Sequence, residues 1–517
     1  MPLRPSTPLP AAWREALQRE ERGEKPLLAD PLPERRLARL LAAFILAGLV
    51  FLVLPGTLLG VWNLLSISAR HSVEAASAVW IQSHGQAQLF GWVGAFFLGI
   101  SLYAVPKFRG GVIRSLALGW AMFGLWTGAV AARWFSALWD WHWRTIWPLA
   151  AAAELAAALL LVWQCTASSK SRRRLELWNQ LVFAGFGGML VVLALQLAFV
   201  WPPPASPLIP EARDRMLVGL ALWIFCFPIV WGFSTRFLPA FLGLEPPGAR
   251  AARVGMAALV LGASGMLAGF ERLASGLLAM AVLAACWSLR IFHPAPRPAK
   301  LIGVDPRYPW FVRAAFAWLI VSALLPLAGV SRGLTGASRH AFTVGFLATL
   351  IFSLGPRILP SFLNSRELWS LRLMLWAMAL LTAGCTLRVT AEPLAYSGSA
   401  PFAWRLLPVS ACIELTAVLL FAWNLGRTLF SPMPAWIEAQ SVHENLPLYW
   451  YVTSYPGTRR LLVEAGLQTL GQMRRVPRFL TLKEAAEADG VSWEPLVALL
   501  RDYFDRRLAR ALKVKRI

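Results

Sequence analysis

Charge is scarce in this chain. Only 15% of its 517 residues are Asp, Glu, Lys or Arg, against 57% hydrophobic, and the mean hydropathy is +0.55. Soluble globular domains carry about a quarter charged residues, so the composition implies a polytopic membrane protein. Acidic groups are the scarcer sign: 27 Asp and Glu face 50 Lys and Arg, a net charge of +23. With no RNA- or DNA-binding motif beside it, this excess reads as a topology signal and as contact with the lipid bilayer, and no nucleic-acid partner is expected. The five cysteines (Cys165, Cys226, Cys286, Cys385, Cys412) show no CxxC spacing and fall in or at the edge of apolar runs. A disulfide framework or a zinc site is therefore not expected. No cleaved signal is apparent, because residues 1–39 are charged and proline-rich before the first apolar run.

What the chain has in abundance is apolar length. Runs of about 20 residues, enough to cross ~30 Å of hydrocarbon, fit near 40–62, 84–106, 115–136, 145–166, 177–201, 216–238, 254–270, 273–292, 310–330, 340–360, 370–390 and 404–429. The seventh is short enough to tilt or break. The expected fold class is thus an all-α membrane protein of about twelve transmembrane helices. The expected organisation is an N-terminal segment 1–39, a membrane domain 40–432 and a small soluble helical domain 433–517. Arg35, Arg36 and Arg39, then Lys107, Arg109 and Arg114, then Lys170, Arg172, Arg173 and Arg174 all fall on one side of this arrangement. So do Arg290, Arg297, Lys300, Arg307, Arg313 and the basic tail. By the positive-inside bias both termini are cytoplasmic, and the chain belongs in a bacterial inner membrane.

The apolar runs repeat. "YAVPKF" closes the second at 103–108, "RFLPAFL" the sixth at 236–242, and "RILPSFL" the tenth at 357–363. Pro148, Glu154 and Trp163 in the fourth have the spacing of Pro408, Glu414 and Trp423 in the twelfth, while the eighth keeps only Trp287. A period of four helices implies three four-helix groups. It does not favour the two six-helix halves of many secondary transporters. Three groups of four are the plan of the large subunit of haem-copper oxidases and nitric oxide reductases, which the chain resembles at that level. There, the second and tenth spans supply the two ligands of a low-spin haem.

Of six histidines, only His84 and His340 open apolar spans, and these are the second and tenth. They precede Pro106 and Pro360 by 22 and 20 residues, in one leaflet. Two neutral imidazoles so placed suit the axial positions of a six-coordinate haem. Singly, each also suits an interfacial residue bonded to headgroup, water or carbonyl. Arg339, Arg133, Arg388 and Arg405 sit at outer ends of spans, against the basic bias, where propionates or outer-loop ion pairs would explain them. Gly91, Gly94 and Gly99 either admit a flat macrocycle or let helices approach. Glu154 and Glu414, deep in apolar runs, are functional candidates by default, as proton relays, cofactor contacts or protonated bridges between helices. The sixth and seventh spans hold no histidine, and Phe342 stands two residues after His340. The binuclear oxygen chemistry of the oxidases is accordingly not expected.

At these residues the chain resembles the NnrS family, membrane proteins containing haem and copper that are linked to nitric oxide tolerance and denitrification. The family's second-span signature, His-Ala-His-Glu-Met-Leu-Phe-Gly-aromatic, corresponds to His84, Gly85, Gln86, Ala87, Gln88, Leu89, Phe90, Gly91 and Trp92. Its later signature, His-Ala-Leu-Thr-Val-Gly with an arginine seventeen residues after the histidine, corresponds to "HAFTVG" at 340–345 and Arg357. Gln86 replaces the second histidine and Phe362 stands at a later one, so haem b is the cofactor implied and copper the weaker expectation. The resemblance implies a nitric oxide ligand, or a redox protein or respiratory complex as partner. A secondary transporter and a structural or assembly subunit of such a complex remain the alternatives.

From about 444 the chain is soluble in composition, with an N-cap expected at Thr481 ahead of Glu484 and Ala485. This stretch is similar to the small helical domain in front of iron-sulfur-cluster repair proteins, patterned Gly-x-x-Cys-x-Gly-Cys and then Thr-x-x-Glu-Ala-Ala. Gly466, Thr469, Gly471 and Gln472 take the first pattern here. Both cysteines are lost, which leaves an interaction domain or a structural cap.

Overall fold

A computed structural model describes residues 9–22, 24, 31–166, 176–301, 303–329, 331–363, 368–430, 442–473 and 476–514. The basic run Lys170, Arg172, Arg173 and Arg174, the side chain of Arg35 and the boundary at 432 and 433 lie outside what it describes. Among the described residues there is no strand. The chain divides into two compact units, one drawn from its two ends, through Ala38 and from Phe430 onward, and one from the helices between.

Eleven helices in the second unit are long and apolar enough to cross a membrane: Arg36–Arg70, Ala78–Phe108, Trp143–Thr166, Leu177–Val200, Glu211–Leu242, Ala249–Leu267, Glu271–Leu289, Tyr308–Ala328, Arg332–Phe362, Leu371–Tyr396 and Ala403–Phe430. A twelfth helix, Leu116–Leu138, has 23 residues. It is less apolar than the others because it carries Trp120, Trp126 and Trp134 together with Arg133. Numbered in chain order with that helix third, these are spans 1 to 12. Span 7, the short one, is a continuous helix.

The three-group plan is visible in packing. The most apolar windows of spans 2, 6 and 10 are 94%, 72% and 67% buried, whereas in the other eight of those eleven helices the figure is 50% or less. These three are therefore the central helices. Their proline motifs end together, with the Phe108 ring 5.6 Å from Phe237 and 6.2 Å from Phe362. Gly185 and Gly188 of span 5 let span 6 approach, since a Cβ on either would strike Phe225, Ile229 or Ile224. With lipid as apolar as the side chains, such close contact is a main source of helix association.

The repeat also fixes how the outer helices start. A helix N-terminus leaves backbone N–H groups unsatisfied. In span 4, Gln164 Oε1 accepts from Arg114 N at 2.9 Å and Ser115 N at 3.2 Å, and Ser115 caps span 3. In span 12, Asn424 Oδ1 accepts from Ser370 N at 2.9 Å and its Nδ2 donates to Ser370 O at 2.8 Å, and Ser370 caps span 11. In span 8, Ser288 Oγ donates to Gly248 O at 3.0 Å, at the start of span 7. Gln164, Ser288 and Asn424 each directly follow Trp163, Trp287 and Trp423, so all three groups join the paired helices at this place, the middle one through Gly248 N donating to the Ser288 backbone oxygen at 2.9 Å.

Spans 2, 6 and 10 share a further feature: each passes through a π-helical segment, at Ala87–Gly94, Ala221–Cys226 and Ala341–Ala348. Span 1 has a fourth, Leu52–Leu58, around Pro55. Proline lacks the N–H that an α-turn requires and crowds the preceding turn. Carbonyls in three of these segments accept from side chains: Leu52 from Thr57 Oγ1 at 2.7 Å, Val344 from Thr349 Oγ1 at 3.0 Å, and Phe90 from Trp126 Nε1 at 2.9 Å. Such segments are frequent at functional sites.

The first unit has its own core, in which Trp13 and Ala16 of helix Ala11–Glu21 pack with Tyr451, Tyr455, Leu462, Leu482, Leu500 and Phe504. The expected N-cap is present: Thr481 and Glu484 form a capping box. Thr469 N donates to Asp489 Oδ2 at 2.9 Å, which ties the start of helix Gln468–Gln472 to the end of Leu482–Ala488. Where the sequence pattern separates residues 1–39 from the C-terminal domain, the structure joins Ala11–Glu21 to it, because Trp13 and Ala16 present one apolar helix face.

A core shared by both ends places them on the same side of the membrane, and the number of crossings between them is then even. Eleven does not satisfy this; counting Leu116–Leu138 does. A topology reporter in the loop Trp139–His142 should therefore report the side opposite to reporters at Gly110 and at either end of the chain. Agreement between Trp139–His142 and Gly110 would show that span 3 does not cross. Replacing a fully buried tryptophan by alanine costs ~3–5 kcal/mol. Trp13→Ala should accordingly speed proteolytic cleavage after Arg14 or Arg19 in the intact protein by about a hundredfold or more, and an unchanged rate would show that Ala11–Glu21 is not held by that core.

Candidate functional site

His84 and His340 do not open their helices. Span 2 begins at Ala78 and span 10 at Arg332, so the histidines lie about 9 and 12 Å along them at 1.5 Å per residue. Both directly precede or border a π-helical segment. The spans start several residues earlier than their apolar runs because small polar residues, such as Ser83 and Ser338, are tolerated where another helix covers them.

The two imidazoles are within electrostatic reach of each other and of Arg388 and Glu414. Their partners differ. His84 Nδ1 lies 2.8 Å from the Gly56 carbonyl oxygen in the π-helical part of span 1. A carbonyl only accepts, so Nδ1 carries the proton and Nε2 keeps its lone pair. Gly60 makes room for the ring: a Cβ there would stand 2.5 Å from His84 Cε1. His340 instead spends Nε2 on Glu414, 3.0 Å from both carboxylate oxygens. His340 and Glu414 retain 25% and 13% side-chain exposure.

Arg388 stands beside this pair on span 11. Its Nε is 3.2 Å from Glu392 Oε2 without hydrogen-bond alignment, and its Nη1 is buried with no partner among the described residues. Glu392 sits under Gly336 of span 10, where a Cβ would strike the carboxylate. An unsatisfied buried guanidinium nitrogen is costly, so an anionic group at this place fits.

The other candidates go elsewhere. Gln86 donates to Glu154 Oε1 at 3.4 Å, and Gln196 of span 5 donates to Glu154 Oε2. Arg133 is within electrostatic reach of Glu154 and of Asp214 in span 6, and its guanidinium lies 5.0 Å over the Trp147 ring. Arg339, which neighbours His340 in sequence, is within electrostatic reach of Asp214, Arg215 and Glu211 of span 6 and of Glu392 of span 11. Arg405 is exposed in the first turn of span 12. The glycine faces of span 2 are filled: Cβ atoms on Gly91, Gly94 and Gly99 would meet Phe51, Trp126 and Phe44. They serve helix approach and admit no macrocycle. Phe342 fills its own place too, 5.0 Å from Trp223 and 5.6 Å from Phe346.

The repeat shows why two clusters exist. Counted back from Pro106 and Pro360, the residue matching His340 is Gln86, and His84 lies two residues earlier. Each match bonds to the glutamate of its own group, Gln86 to Glu154 and His340 to Glu414. In the middle group the same offsets give Gly219 and Leu278, which form no such pair. Gly56, Gly60, Glu392, Gln196 and Asp214 carry no sequence signal of their own. Asp214 falls outside the sixth apolar run yet inside its helix, which begins at Glu211. Gln164 and Asn424 were accessible to inspection, since both stand ten residues after the repeated glutamates.

No curated protein matches the chain. Among solved structures it is similar to a haem-copper terminal oxidase determined as a dimer by cryo-EM, with a TM-score of 0.61 and 12% identity over 78% of this chain and 85% of that one. At this identity the likeness establishes the fold. The family described as NnrS protein matches residues 30–433, most of the chain and every span, and the chain belongs to the NnrS family.

Proposed function

We propose that this protein is a haem protein of the bacterial inner membrane, with both termini cytoplasmic, in which His84 and His340 are the axial ligands of one b-type haem near the outer face. The observation that carries the reading is a ligand-ready His84 Nε2 within electrostatic reach of His340 and of Arg388, whose buried Nη1 has no partner among the described residues. Gly56 holds the His84 tautomer, as second partners commonly do for metal-binding histidines, and Gly60 leaves the ring its room. Arg388 meets a propionate, while Arg339 and Arg405 stand apart from it. A haem held between two imidazoles cycles one electron, and it takes nitric oxide where one position is vacated.

This suits a role in the nitric oxide response or in respiratory electron transfer with a redox protein or respiratory complex as partner. Copper has less support. Gln86 stands where the family's second histidine is expected, and among the described residues no group of three or more His, Cys, Asp or Glu is placed to hold a metal ion. Glu154, bridged by Gln86 and Gln196, then acts as a buried hydrogen-bond acceptor joining spans 2, 4 and 5.

The purified protein should show the sharp reduced spectrum of a low-spin b-type haem. His84→Ala and His340→Ala should each abolish it or convert it to a high-spin form, and Gly60→Ala should broaden or shift it by displacing the His84 ring. His293→Ala and His443→Ala should leave it unchanged. Protein purified without haem from haem-replete cells, or low-spin spectra that survive in both ligand variants, would overturn the reading and favour a transporter.

A further inference from the structure

The two histidines differ in a way that bears on which of them lets go. In the arrangement described, His84 has its Nδ1 proton committed to the Gly56 carbonyl, and no group among the described residues bonds its Nε2. This imidazole is oriented and its lone pair is available. His340 is engaged at Nε2 itself, by both oxygens of Glu414. Whether the proton between them sits on nitrogen or on oxygen, the ligating atom is occupied. Gly384 of span 11 makes the position of Glu414 possible, because a Cβ there would lie 2.6 Å from Glu414 Cγ.

Resting on the haem reading above, we propose that His84 is the permanent ligand and His340 the exchangeable one, with Glu414 as a positioning residue that captures the released His340 imidazole. The exchange balances without any electron transfer. With a haem bound, the electron pair that His340 Nε2 would lend to the metal would stay on that nitrogen on release and accept the one proton shared between His340 and Glu414; on rebinding that proton would remain with Glu414 and the lone pair would return to the metal. Glu414 thus competes with the metal for one lone pair. Its counterpart Glu154 faces Gln86, an amide that has no such lone pair to give. The vacated position is then offered to a neutral diatomic ligand that enters on the His340 side.

The inference predicts an asymmetry that a purely structural glutamate would not produce. In ferrous full-length protein, carbon monoxide binding should be limited by departure of His340. Glu414→Leu removes the competing partner and should slow carbon monoxide binding about tenfold, the factor for one lost hydrogen bond, while keeping the low-spin spectrum. Glu414→Gln retains a hydrogen bond to Nε2 and should restore binding to near the wild-type rate. Glu414→Ala removes the same atoms and serves where the leucine variant does not assemble. His340→Ala should retain haem as a high-spin form that binds carbon monoxide rapidly, whereas His84→Ala should lose haem. Unchanged carbon monoxide binding in Glu414→Leu and Glu414→Ala, or identical behaviour of the two histidine variants, would overturn this inference while the low-spin wild-type spectrum keeps the haem reading. A wild type without low-spin haem would overturn both.

Discussion

A polar group inside hydrocarbon has no water to turn to, and each unmet one costs several kcal/mol. That constraint organises this molecule. Its most regular expression is the bond from Gln164, Ser288 and Asn424 to the backbone that begins the preceding helix, at Ser115, Gly248 and Ser370. Each bond joins two antiparallel helices at the end where the first has unsatisfied N–H groups. Gln164 and Asn424 meet those groups with a side-chain oxygen, whereas at Gly248 the N–H is met by the Ser288 backbone oxygen and the Ser288 hydroxyl donates to the Gly248 carbonyl. The repeat therefore persists in structure where the sequence has drifted to serine, as in span 8.

The same constraint explains the chemistry of the central helices. A π-helical segment displaces the backbone ladder, and the displaced carbonyls of Leu52, Phe90 and Val344 are met by Thr57, Trp126 and Thr349. The cost is thereby offset at positions beside both histidines. Span 1 contributes Gly56, which lies in the π-helical segment Leu52–Leu58 and whose carbonyl receives His84 Nδ1.

Much of this was legible in the sequence. Apolar length set the spans to within several residues, and Pro106, Pro239 and Pro360 marked the three groups. His84, His340, Glu154 and Glu414 were recognisable because ionisable groups within apolar runs stand out. What was not legible has physical causes. Asp214, Gln82, Ser83 and Ser338 are polar and partly or fully buried within their helices, so the apolar runs end short of the helices. Arg339 adjoins His340 in sequence, but a step of one residue turns about 100° around a helix axis and brings it within electrostatic reach of Asp214, Arg215 and Glu211 of span 6 and of Glu392 of span 11. The glycines at 56 and 60 act through a carbonyl and through an absence of bulk, neither of which marks a sequence. Trp13 belongs to a core completed more than four hundred residues later.

The exchange of histidine for glutamine at position 86 then has a defined consequence. Glutamine fits the hydrogen-bonding role of that site, since its amide donates to Glu154 while Gln196 donates to the other oxygen. It lacks the imidazole lone pair that made the matching position, His340, useful toward a metal. One copy of the repeat is thereby a lock between spans 2, 4 and 5, and the other is a site where the same glutamate meets a ligand-capable ring. The third, with Gly219 and Leu278, has neither. A threefold scaffold of this kind needs only the N-terminal bonds and the central packing to persist. Its three internal positions are free to diverge, and only one of them keeps histidine and glutamate together beside an arginine whose Nη1 is short of a partner among the described residues.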